Sequence, residues 1–228
     1  MFGYVLNTKD GAIRVRTGLP DLSEYPDQVF DWSYSSYGNV KEEIPDDAPE
    51  PLGNPVVLTT YVDANLYHDL ISGQSVTGIL HLANQTLIDT FSKLQSAVET
   101  ATFGSEYVAA RTCTEQIIDL RNTFRYLGVP VEHATMMFGN NESVVNTASV
   151  PHSRLHKRHN ALSYHKTREA IAAGITRFTH VDGKGNPADV VSKHWDYPSV
   201  RDTLRPILFW GGDTGEIPKY LAGKYPKP

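Results

Sequence analysis

The pattern of apolar and polar positions divides the chain into two unlike parts. Over the first 56 residues, short apolar pieces alternate with Pro, Gly and Asp, as in GLPDLSEYPDQ and EEIPDDAPEPLGNP. Such text predicts an irregular acidic connector over residues 1–54, with one hairpin over 12–16. From residue 55 the pattern changes. Residues 56–62 (VVLTTYV) are rich in β-branched side chains and predict a buried strand that ends at Asp63. Residues 76–82 and 87–91 predict two further strands, joined by a hairpin through Ala83, Asn84 and Gln85. Phe103, Tyr107, Ala110, Cys113, Ile117, Leu120, Phe124 and Leu127 then step by four and three. That spacing lines one face of a helix of about six turns, stopped by Gly128 and Pro130. Residues 135–138 predict a short strand, and 143–148 and 155–173 predict helices, the second capped by Gly174. Residues 175–181 alternate as a strand, 183–186 turn, and 187–194 open a helix with Pro187 in its first position. The order β-β-β-α-β-α-β-α predicts one mixed α/β domain over residues 55–195, with a five-stranded sheet flanked by helices. Residues 196–228 follow as a C-terminal extension.

Composition narrows the class. The chain has 228 residues, 40% of them hydrophobic and 21% charged, and its mean hydropathy of −0.35 suits a soluble globular protein. No apolar run approaches the roughly 20 residues of a bilayer span, so no membrane partner is expected. The first residues, MFGYVLNTKDG, carry no targeting pattern, which leaves a cytoplasmic or nuclear location as the expectation. Cys113 is the single cysteine, so neither an intramolecular disulfide nor a cysteine-based metal cluster can be built. The net charge of −5 is unevenly spread: residues 1–56 hold ten Asp and Glu against four Lys and Arg. By contrast, residues 152–168 (HSRLHKRHNALSYHKTR) hold five Lys and Arg, four His and no acid. That is a positive face, whose ordinary reading is a solvated helix surface.

Acids at element boundaries are the chemically informative feature. Asp63 closes the first predicted strand, Glu106 lies in the first turns of the long helix, and Asp189 lies in the first turn of the last one. Carboxylates among apolar residues are costly unless paired or bound to metal. A converging set of oxygen ligands suits Mg²⁺ or Mn²⁺. Two such ions could activate a water and stabilise the leaving oxygen of a phosphodiester. The macrodipole of a helix start also attracts acids, which accounts for Glu106 and Asp189 without any metal.

Six segments occur in order: Tyr61-Val-Asp63-Ala-Asn65, Phe91-Ser-Lys93-Leu-Gln95, Thr102-Phe-Gly-Ser-Glu106-Tyr-Val-Ala-Ala110, Leu155-His-Lys157-Arg-His159, Tyr164-His165-Lys-Thr-Arg168-Glu169 and Asn186-Pro-Ala-Asp189-Val-Val-Ser-Lys193. Together they resemble the ribonuclease H domain of copia-type LTR retrotransposon Pol polyproteins, over about residues 55–195. The N-terminal part is similar to the connector that follows the reverse transcriptase. The resemblance implies a ribonuclease H-like fold in which four acids bind two Mg²⁺ (or Mn²⁺) and cut the RNA strand of an RNA/DNA hybrid. It assigns three of those acids to Asp63, Glu106 and Asp189. The fourth belongs in a Gly-Asp-Asn triplet that here reads Gly139-Asn140-Asn141, so the Asp is an Asn.

This departure implies an impaired nuclease. Asn keeps the size of Asp and one acceptor oxygen but lacks the charge. Losing even a residue that only supports a metal ligand costs roughly 10- to 100-fold in affinity or activity, and losing a ligand costs more. Glu142 offers either a replacement carboxylate or an ordinary acid at a helix start. His180, nine residues before Asp189, falls near the mobile histidine that assists product release in many ribonucleases H. The resemblance turns Arg154, Lys157, Arg158, Lys166 and Arg168 into candidate contacts for the phosphates of the hybrid. His152, His156, His159 and His165 lack paired ligand spacing, so no zinc site is expected. A second function class stays open: a non-catalytic copy kept as a nucleic-acid-binding or structural subunit, partnered by reverse transcriptase or a host assembly. Transposases and integrases that share the fold place the glutamate last among the acids, whereas here it is second.

Overall fold

The computed structural model describes residues 12–26, 30–155, 157–195 and 197–209. Its elements are β1 (Ala12–Ile13), β2 (Leu58–Asn65), β3 (Val76–Ala83), β4 (Thr86–Leu94), α1 (Thr102–Tyr126), β5 (Thr135–Gly139), α2 (Glu142–Ser149), α3 (Ala161–Ala172), β6 (Thr176–His180), α4 (Asp189–Ser192), α5 (Tyr197–Leu204) and β7 (Leu208–Phe209). Five strands form one sheet in the order β4-β3-β2-β5-β6. The pairs β2–β3 and β3–β4 are antiparallel, and β2–β5 and β5–β6 are parallel. Asn84 turns the β3–β4 hairpin at φ 53°, a left-handed conformation that Asn tolerates better than most residues. Parallel neighbours need a crossover, and α1 supplies it between β4 and β5. This is a mixed α/β fold, a five-stranded sheet flanked by helices, as the sequence predicts.

The centre of the sheet is covered on both faces, which explains why β2 is buried from Leu58 to Ala64 without alternation. On one face, the α1 stripe of Tyr107, Ala110, Cys113 and Ile117 is wholly buried against Val62, Ile79 and Met137. On the other, Tyr61, Leu80 and Phe138 pack with Leu22, Tyr25 and Ile207. Residues from both flanks of the expected 55–195 domain therefore cover its second face. The 12–16 hairpin does not form. Ala12 pairs with Phe209 and Ile13 with Leu208, while the Arg16 N–H donates to Thr86 Oγ1 at 2.8 Å. Among the described residues no helix is long and apolar enough to cross a membrane.

Three further expectations change. β2 runs through Asp63 to Asn65, because Asp63 still pairs with Gly78 and Asn65 with Val76. The helix expected from residue 155 starts only at Ala161, after a 3₁₀ turn over Arg158–Asn160. Cations at positions 157 and 158 oppose the positive end of a helix dipole, so the basic text is a poor helix start. The helix expected over 187–194 is a single turn, Asp189–Ser192, and Lys193 is already extended. Val190 and Val191, both β-branched, add little to prolong it.

Candidate active site

Asp63 projects from the middle strand and is completely buried. Its Oδ1 accepts a hydrogen bond from Asn140 Nδ2 at 3.1 Å, and its Oδ2 accepts one from the Ser192 hydroxyl. Asn140 follows the last residue of β5, the parallel neighbour of β2, so adjacent strand ends bring these two side chains together. Asn141 caps α2 by accepting from the Val144 N–H at 3.3 Å, which fixes the backbone on the other side of Asn140. Glu142 is exposed in the first turn of α2, a position the helix dipole favours for an acid. It takes no part in the cluster.

The single turn α4 carries the third member. Asn186 anchors its entry by donating to the Val62 carbonyl at 2.9 Å and accepting from the Ala188 N–H at 3.1 Å. Ser92 Oγ donates to the Val191 carbonyl at 2.6 Å from the opposite side. A Cβ at Gly78 would stand 2.8 Å from the Ala188 carbonyl and the Ser192 nitrogen, so only glycine lets α4 sit this close to β3. Asp189, with its side chain 21% exposed, and Ser192 are thereby held against Asp63.

Glu106 reaches the same place from α1 and interacts with the Ala64 N–H. Burial, then repulsion by Asp63 and Asp189, push its carboxyl well above the ordinary glutamate value, against the pull of Lys193. Such a shift is expected of carboxylates gathered with too little positive charge. Sequence reasoning assigned no role to Lys193, which sits between the acids. Its Nζ is bonded to Asp189 Oδ1 and stands 3.4 Å from Asp63 Oδ2. Burial disfavours this ammonium, but Asp189 and Asp63 outweigh it and raise its pKa above that of an ordinary lysine. The signal was available: Asp189 and Lys193 are four residues apart, the spacing of a helical ion pair.

All donors here are oxygens, which suits a hard divalent cation. Asn140 Oδ1 is buried and has no hydrogen-bond partner, leaving one more acceptor for an ion. Among the described residues, however, no group of three His, Cys, Asp or Glu side chains is spaced to hold a metal ion as the side chains stand. The Lys193 ammonium stands among these oxygens instead. His180 is exposed at the rim, with Nε2 3.3 Å from the Asn140 carbonyl oxygen, to which it can donate.

The basic stretch divides. Arg154 and Arg158 are exposed and Lys157 is half-buried. Arg158 opens the 3₁₀ turn whose His159 Nε2 lies 3.1 Å from Glu99 Oε2, just before the end of α1 that carries Glu106. Lys166 lies on α3, 3.8 Å from Glu169. Arg168 corrects the expectation of a phosphate contact. It is 1% exposed, donates to the carbonyls of Thr147, Val150 and Pro151 at 2.6 to 2.8 Å, and lies 4.8 Å from the ring centres of Trp32 and Tyr164. A side chain so enclosed holds the fold together and cannot reach a ligand. His156 lies outside the described residues, while His165 Nδ1 meets the Tyr37 hydroxyl at 2.5 Å.

Over 143 residues, 62% of its length, the chain is 27% identical to the retrovirus-related Pol polyprotein from transposon TNT 1-94 of Nicotiana tabacum. Over that stretch the chain is similar to part of a retrotransposon Pol polyprotein. The match spans 10% of that polyprotein. No protein-family model matches the chain. Among solved structures, the N-terminal RNase H domain of Rv2228c from Mycobacterium tuberculosis is 14% identical, covering 60% of this chain and 91% of that one, with a TM-score of 0.44. RNase H1 from Halobacterium salinarum is 12% identical, covering 61% and 95%, also with a TM-score of 0.44. The foamy viral protease-reverse transcriptase, solved in complex with an RNA/DNA hybrid, is 15% identical, covering 63% and 20%, with a TM-score of 0.37.

Proposed function

We propose that this chain is a ribonuclease H-like module of copia-type retrotransposon origin that binds RNA/DNA hybrid and hydrolyses its RNA strand slowly, using two Mg²⁺ or Mn²⁺ ions. The observation that carries this reading is the meeting of Asp63, Asn140 and Asp189 from separate elements, with Glu106 responding to two of them. Bound divalent ions would activate a water and stabilise the leaving oxygen of the phosphodiester. Asp63, Glu106, Asp189 and the Asn140 amide oxygen would hold them. Asp63 is oriented by Ser192 and Asn140, and Asp189 by the seating of α4. Arg154 and Arg158, which are exposed, and Lys157 would take backbone phosphates, with affinity that falls steeply with salt. His180, exposed at the rim, is free to turn toward a departing product. Three carboxylates where four are expected hold one ion well and the second weakly, which slows the reaction. The match to part of a Pol polyprotein supports a reverse transcriptase portion of such a polyprotein as partner; a host assembly is the alternative.

A specific observation favours a second reading, that of a hybrid-binding copy without turnover. Asn140, Ser192 and Lys193 together compensate the Asp63 carboxylate from within the chain. Cleavage of a labelled hybrid by the unmodified chain and by Asn140→Asp separates the two. A gain of at least about tenfold in the variant supports the nuclease reading. No gain, with salt-sensitive hybrid binding retained, overturns it in favour of the second.

A further inference from the structure

We infer that Lys193 is a tethered competitor for the metal ion: the free chain closes its own carboxylate cluster with the Lys193 ammonium, and a divalent ion enters by displacing it. The inference rests on the reading that this cluster is the ion site. The ammonium is bonded to Asp189 and lies 3.4 Å from Asp63. It is delivered there by a fixed backbone, because α4 is pinned by Asn186 to Val62, by Ser92 to Val191 and by the close approach at Gly78. A fully buried carboxylate such as Asp63 is stable only when its charge is compensated. Here the compensation is internal: an amide, a hydroxyl and an ammonium.

Asn140 completes the device. An Asp at this position would set a second carboxylate against Asp63 and make an ion obligatory. Asn instead donates to Asp63 and leaves its Oδ1 without a hydrogen-bond partner. The Lys193 side chain is 32% exposed, so its four-carbon stem can swing into solvent while α4 stays in place. Ion binding is therefore an exchange of one cation for another, and the affinity of the free chain falls below that of the same oxygens without the lysine.

The test measures Mn²⁺ binding to the full chain, without nucleic acid, by calorimetry and electron paramagnetic resonance. Lys193→Met is expected to tighten binding at least about tenfold. Lys184→Met, which removes an exposed lysine outside the cluster, is expected to change it less than about threefold. A second measurement uses the unmodified chain and does not depend on how the variant folds. The Lys193 ammonium should give a slowly exchanging ¹⁵N side-chain signal, absent in Lys193→Arg, that disappears or shifts as Mg²⁺ is added. Unchanged or weaker Mn²⁺ binding by a folded Lys193→Met chain, or an ammonium signal indifferent to saturating Mg²⁺, overturns the inference. If Asn140→Asp tightens binding while Lys193→Met does not, only the competitor role falls. If no variant binds Mn²⁺, the nuclease reading falls with it.

Discussion

Replacing Glu42 with Gln tests whether the acidic segment before the sheet belongs to the folded unit. Glu42 grips Arg121 at two points, Nε to Oε1 at 2.7 Å and Nη2 to Oε2 at 2.8 Å, and Arg125 Nη1 donates to the same carboxylate at 2.8 Å. The Arg121 side chain is 2% exposed, and its remaining nitrogen donates to the His133 carbonyl at 2.6 Å and Thr135 Oγ1 at 3.2 Å. Gln cannot balance two guanidinium groups, and breaking a buried pair costs about 3–5 kcal/mol. Because Glu42 is 18% exposed, the lower end applies, about 3 kcal/mol. For a chain of this size that is about 6–12 °C in Tm.

Urea and thermal unfolding of Glu42→Gln, Arg121→Met and the double variant would measure the coupling, with the double variant losing less than the sum of the two. The pH dependence carries the same signature. Burial pushes the Glu42 carboxyl up, but Arg121 and Arg125 outweigh it and hold its pKa below the ordinary carboxylate value. Its contribution is therefore complete above about pH 4.5 and is lost as the pH falls through the folded-state value. Glu42→Gln should lack that part of the acid sensitivity. A loss below about 1 kcal/mol, the range of an exposed pair, or strictly additive variants would refute the reasoning.

Gly78→Ala should cost about 1–3 kcal/mol, because the new methyl meets the backbone of Ala188 and Ser192 rather than a movable side-chain end. An unchanged urea midpoint would show that α4 is not seated as described. Arg158→Ala should weaken hybrid binding and reduce the slope of log affinity against log salt by about one, with little change in melting. Arg168→Met should lower the melting temperature and leave that slope alone; the reverse pattern would put the phosphate contact back on Arg168.

Local pattern made the central sheet and the long helix legible. The strands over 58–65, 76–83 and 135–139 are apolar and β-branched runs, and the α1 stripe repeats at helical spacing because one face meets the sheet. Motif order singled out Asp63, Glu106, Asn140 and Asp189, which stand near element boundaries that turn residues and caps mark, and the structure brings Asp63 against Asn140 and puts Lys193 between Asp63 and Asp189. Side-chain destination was not legible in the same way. Arg154, Arg158 and Arg168 read alike along the chain, yet Arg168 meets four carbonyls and three aromatic rings, two of which, Trp32 and Tyr37, lie more than a hundred residues away. Glu42 looked like one acid among many in a connector until α1 presented two arginines to it. Likewise, Lys193 looked like an ordinary cation after a helix, and became the partner of two carboxylates only when β2 and α4 were brought together. Periodicity reports which face of an element is buried, because burial repeats with the local geometry of the backbone. Whether a charge faces water, a carbonyl or another charge depends on residues distant in the chain, and only the assembled sheet brings those within a few ångströms.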